Sequence, residues 1–277
     1  MAPQLDTPYG SGDARRVTLL AVSAVLLVAA ATSSAPIAVR HTEGLVHGFL
    51  VMRTLDDKVI ARGDLTQGAS GERVTTHMGF RFTDGSSQEE TTVFTQRGSF
   101  RLLRYRLVQK GPIFERQVDL SVDARSGAVT VRYTDEDGAE KVEQDKIEVP
   151  ADLANGMVTT LLKNVDPATL PKSVSYLAAT PKPRIIKLEI KAAGTSTFTT
   201  AGVRRTATHY VLEPELGGVA GVVAPLVGKQ PPDSHVWIMG GVAPAFVRSE
   251  SALFNGGPMV RIELVSPAWP KSSNNTR

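Results

Sequence analysis

Short stretches of alternating apolar and polar residues, cut by turn residues, run through most of this 277-residue chain. A period of two places one face of a strand on a core and the other in water. Met78, Phe80 and Phe82 share one face and His77, Gly79 and Arg81 the other, and the stretch stops at Thr83-Asp84-Gly85-Ser86, a hairpin-turn signature. Val118, Leu120 and Val122 alternate with Gln117, Asp119 and Ser121. After Ala124-Arg125-Ser126-Gly127 the pattern resumes at Val129, Val131 and Tyr133, and Asp135-Glu136-Asp137-Gly138 turns the chain again. Further strands are predicted over 45–54, 58–65, 99–108, 184–191, 206–212, 235–239 and 259–265. Sequential strands joined by short turns predict a mainly β fold, a large curved antiparallel sheet (half-barrel or open barrel) wrapped around one or two short helices.

Two segments break this rhythm. Pro150-Ala151-Asp152 leads into Leu153, Met157, Leu161 and Leu162, whose spacing makes one apolar stripe and predicts a helix from about Ala151 to Lys163. Leu216 to Gly228 is apolar throughout, too short for a membrane span and too rich in glycine for a regular element. At the N-terminus, Arg15-Arg16 precede an apolar run from Val17 to Ala31 and the small-residue segment Ala31-Thr32-Ser33-Ser34-Ala35. This order predicts a secretory signal peptide cleaved near Ala31 to Ala35, and hence a periplasmic or extracellular protein. The expected division is a signal peptide over 1–35, one β-rich domain over 36–270 and a disordered tail over 271–277.

Composition narrows the picture. The chain has no cysteine, so export cannot be accompanied by a disulfide framework or a lipid-modified cysteine. The 31 Lys and Arg nearly balance the 28 Asp and Glu, and Asp6, Asp13, Arg15 and Arg16 cancel, so the mature chain keeps the net charge of +3. That is too small to argue for nucleic acid.

Candidate chemistry is sparse. His41 and His47, with Glu43 between them, lack the tight spacing of a metal pair, and His209 and His235 each occupy one position of an alternating strand without a neighbouring ligand in sequence. No metal and no cofactor is expected. There is no Gly-x-Ser-x-Gly elbow, and Asp56-Asp57, Glu89-Glu90 and Asp135-Glu136-Asp137 read as solvated turn acids, so no enzyme is expected. Gly221 to Lys229 ends in Gly-Lys, but Gln230 and Pro231-Pro232 follow where a phosphate-binding loop needs a hydroxyl and a helix. Arg97, Arg101, Arg104, Arg106 and Lys110 read as a solvated outer face.

Pro150 to Leu162 after many strands, then His235-Val236-Trp237-Ile238, Pro244-Ala245-Phe246-Val247-Arg248 and Val260-Arg261-Ile262-Glu263-Leu264, resemble the half-barrel of periplasmic lipoprotein carriers and related secreted β-proteins. The resemblance implies a curved antiparallel sheet around a helix with an apolar concave face, and no catalytic residues. On that footing Met157, Leu161, Trp237, Met239 and Phe246 are expected to line a site for a lipid or other apolar ligand, with Val219, Val222, Val223 and Leu226 in a lip or docking segment. The alternative is a structural or partner-binding cell-envelope protein with a filled core, meeting an envelope protein or the membrane surface through that segment.

Overall fold

In a computed structural model, the described residues are 35–200, 202–215 and 231–265. The signal segment, the lip segment with Val219, Val222, Val223 and Leu226, and the tail therefore lie outside the described residues. Among the described residues fourteen strands follow in order: β1 (Val46–Thr54), β2 (Val59–Ser70), β3 (Arg73–Phe82), β4 (Ser87–Arg97), β5 (Ser99–Lys110), β6 (Val118–Asp123), β7 (Ala128–Thr134) and β8 (Glu140–Lys146) come first. One helix, α1 (Val158–Asn164), intervenes before β9 (Lys172–Ala178), β10 (Arg184–Thr200), β11 (Val203–Glu215), β12 (Ser234–Met239), β13 (Ala245–Ala252) and β14 (Met259–Val265).

All fourteen strands join one antiparallel sheet in the order 8-7-6-5-4-3-2-1-14-13-12-11-10-9. Two hairpin meanders run outward from the central β1–β14 pair, registered from Phe49 opposite Val265 to Thr54 opposite Val260. Laid flat at the usual strand spacing such a sheet would be about 60 Å wide. Yet one hydrophobic cluster joins Val74, Phe94, Tyr105, Leu120 and Val131 of β3–β7 to Val174, Ile190, Leu212, Val236 and Ile238 of β9–β12. Strands so distant in the order share a core only if the sheet is rolled, so the architecture is an open, barrel-like β-sheet closed over α1. A second cluster, with Leu50, Met52, Phe80, Phe82, Phe114 and Val260, fills the inner face near the central pair.

The predicted helix over Ala151–Lys163 forms only at its end, Val158–Asn164. Its start is captured by β9. The Asp152 carboxylate accepts from the Ser175 hydroxyl (2.7 Å) and the Lys187 ammonium (2.9 Å) instead of capping a helix. Leu153 makes a parallel bridge to Ser175, the Asn155 side chain bonds both N–H and C=O of Leu177, and Gly156 has a φ of +67° that ends any continuation. A Cβ at Gly156 would run into Thr92 of β4. Segment 153–155 thus covers the free edge of β9. Tertiary hydrogen bonds outweigh a helical pattern of seven residues, which has little intrinsic stability.

A second correction concerns Glu89-Glu90, read from sequence as turn acids. They lie inside β4, with Glu89 outside, paired to Arg81 at 3.0 Å, and Glu90 facing inward. Asp56-Asp57 and Asp135-Glu136-Asp137 do occupy turns. Arg106 is on the outer face, held by Asp119 through two bonds of 2.8 and 3.0 Å.

Candidate functional site

The concave face begins as rows of inward side chains across β3, β4 and β5. Met78, Glu90 and Leu107 form one row, Thr76, Thr92 and Tyr105 the next. Alternation alone dictates this placement: Gln88, Glu90 and Thr92 all fall on the face that buries Phe94 beyond the bulge at Val93. Tyr105 donates its hydroxyl hydrogen to Glu90 Oε2 at 3.2 Å and also meets Asn155 and Tyr176. Burial pushes the Glu90 carboxyl up to about 7, although the Tyr105 hydrogen bond favours the anion. Burial, and then the Glu90 charge, hold the Tyr105 phenol well above its ordinary value. Glu90 keeps partial solvent access while its neighbour Thr92 has almost none. The concave face therefore carries a titratable, inward-facing carboxyl.

A second polar group anchors the N-terminal segment. Glu43 pairs with Lys163 at the end of α1, and Gln67 donates to the same carboxylate at 2.9 Å. The backbone N–H groups of Arg40 and His41 donate to Asn164 Oδ1 at 2.8 and 2.7 Å. The His41 backbone is thus tied to α1, and the His47 ring lies beside Asp64 and the Phe49 ring.

Of the five residues expected to line an apolar site, the structure brings three together. Met157 and Leu161 are buried in the main cluster, and Phe246 packs against both clusters. There they are buried among other core side chains. Trp237 and Met239 are placed on the opposite face. Val236 and Ile238 take the inward positions of β12, which sends the alternate residues outward.

That outer face holds a stack no sequence-local pattern revealed. His209, Trp237 and Arg248 are direct partners across β11, β12 and β13. The His209 ring stacks on the indole at 4.3 Å with planes 2° apart, and the Arg248 guanidinium lies 4.0 Å from the indole centroid. Trp237 donates its ring N–H to Ser196 at 3.1 Å. His235, diagonal to His209, approaches it with Nδ1 3.0 Å from His209 Nε2. Burial first, then His235 and Arg248, lower the His209 pKa below its ordinary value. Glu250, bonded to Arg261 at 2.9 Å, carries the nearby negative charge.

The described residues also form two surface hollows. One is lined by Val59, Arg62, Arg81, Phe82 and Thr83, the other by Glu143, Gln144, Asp145 and Pro181–Pro183. The second brings the β8 edge beside the β9–β10 turn, the two margins of the rolled sheet.

No family model matches this chain, and no curated protein matches it in sequence. Among solved structures, it is similar to a crystal structure from Brucella abortus described as a beta-barrel-like protein of a domain of unknown function, DUF1849. The identity is 9%, the TM-score 0.45, and the match covers 80% of this chain and 96% of that one. The barrel-like architecture of the present protein rests on its own strand order and shared core.

Proposed function

We propose that this protein is an exported, non-enzymatic cell-envelope protein that acts by binding a partner, with the rolled sheet as a rigid, filled body. The observation that carries this reading is that Met157 and Leu161 are buried in one cluster with core residues from both halves of the sheet. The sequence from Arg15 to Ala35 supports export, and the apolar stretch with Val219, Val222, Val223 and Leu226 is the segment assigned to the partner, an envelope protein or the membrane itself.

A second reading keeps the half-barrel as a holder of a lipid or other apolar ligand, akin to the lipoprotein carriers. Its support is Glu90, a partly accessible carboxyl beside Met78 and Leu107 on the concave face, able to meet a polar headgroup while the tail lies on apolar side chains.

Extraction mass spectrometry on protein exported in a bacterial periplasm and purified without strong detergent separates the two. Under the first reading the protein carries no stoichiometric lipid and takes up no fluorescent fatty acid. Deleting residues 218–228 then leaves thermal unfolding unchanged but abolishes partner or vesicle association. A stoichiometric lipid overturns the filled-body reading and establishes the second.

A further inference from the structure

We propose that His209 and His235 form a two-imidazole chelate for a divalent transition metal, Cu(II) by preference, on the outer face of β11 and β12. The juxtaposition that carries it is the hydrogen bond that holds His209 Nε2 and His235 Nδ1 3.0 Å apart, on residues 26 apart in sequence, a contact whose shared proton a metal would replace. With metal–nitrogen bonds near 2.0–2.1 Å, two ligands at a right angle lie about 2.9 Å apart and two in a tetrahedron about 3.4 Å. The observed spacing matches the right angle, the geometry of tetragonal Cu(II), which also has the highest affinity for nitrogen ligands among first-row divalent ions.

Two further features suit the pair to this role. Both histidines are partly exposed, so solvent and a metal can reach them. His209 is stacked parallel on Trp237, while His235 is tilted by 31° to the indole and is the ring whose rotation would bring both lone pairs to one point. Among the described residues no group of three or more metal-ligating side chains occurs, so water fills the remaining positions. Glu250 stands directly opposite His235 in the register and offsets the nearby positive charge of Arg248.

The stack also supplies the readout. The chain has two tryptophans, and Trp269→Phe leaves Trp237 alone, against the ring of one proposed ligand. Titration of this variant with CuCl2 is expected to quench its fluorescence saturably at one metal per chain. Loss of an outer partner of a metal ligand weakens binding 10–100-fold, so removal of a ligand by His235→Gln is expected to weaken it by about tenfold or more. His41→Gln with His47→Gln is expected to leave the titration unchanged. Electron paramagnetic resonance of the copper-loaded chain with both histidines intact is expected to show coupling to two imidazole nitrogens, a test that does not depend on how His235→Gln folds. Absence of saturable quenching, a titration indifferent to His235→Gln, or a spectrum without two imidazole nitrogens overturns the proposal.

Discussion

Glu90 shows at the scale of one residue how strand alternation, burial and charge combine. Its neighbour Glu89 has the same side chain and meets Arg81 in water, whereas the single-residue step along β4 carries Glu90 into the interior. The carboxyl binds its proton more tightly in the folded state, at about 7 against an ordinary 4.5, so its contribution to stability is full below pH 4.5 and lost as pH rises through 7. A shift of this size, discounted for partial solvent access, corresponds to roughly 2 kcal/mol. Glu90→Gln is therefore expected to be more stable than the unmodified protein at pH 8 and nearly equal to it at pH 4, measured by urea unfolding at the two pH values. His209 has the opposite sign: with its pKa lowered on folding, it favours the folded state above about 6.5 and that contribution is lost as pH falls through its folded value. A Glu90→Gln protein with an unchanged pH slope between 4.5 and 7 would remove Glu90 from this role. Nothing in Gln88-Glu89-Glu90 distinguishes the two acids; only the placement of Thr91 to Phe94 in a continuing strand does, and that β-branched run was the available signal.

At the scale of elements, α1 is short and is held by what it touches. Seven residues are too few for a stable isolated helix, and the N-cap residue Met157 makes no side-chain cap bond. Asn164 closes the helix end instead, its amide donating to Thr160 O at 2.9 Å while its carbonyl receives the N–H groups of Arg40 and His41. Asn164→Ala leaves two backbone donors without this acceptor in a part-buried site, an expected cost of about 2–3 kcal/mol, read as a lower urea midpoint. Hydrogen exchange at Arg40 and His41 is expected to accelerate in the same variant; protection at the unmodified level would show that the N-terminal segment is held by its other contacts. The stripe of Leu153, Met157, Leu161 and Leu162 correctly marked buried residues, but period alone does not tell a helix from a segment that hydrogen-bonds along a strand edge. Asp152, Asn155 and Gly156 decide that difference through partners on β4, β9 and β10.

At the scale of the whole molecule, an open sheet must end somewhere, and this one manages its two margins differently. Segment 153–155 covers β9, whereas β8 is exposed along its whole length. Lys141, Glu143 and Asp145 of β8 stand opposite Tyr133, Val131 and Val129, so charges occupy the row that elsewhere faces the core. Inward-row charges on an edge strand oppose pairing with another chain. Glu143→Val with Asp145→Val is expected to produce concentration-dependent oligomers in size-exclusion chromatography, and a persistent monomer would show that the β9–β10 turn already shields the edge. Alternation and turn residues by themselves determined the mainly β class, the hairpins around Thr83–Ser86, Ala124–Gly127 and Asp135–Gly138, and most strand positions, because those depend on neighbours within a few residues. Tertiary structure alone decided that Trp237 and Met239 face outward, that Glu90 is an interior acid, and that His209 meets His235. Each of these depends on the roll of the sheet or on register between strands far apart in sequence, where a pattern of apolar and polar residues fixes the two faces of a strand but not which of them becomes concave.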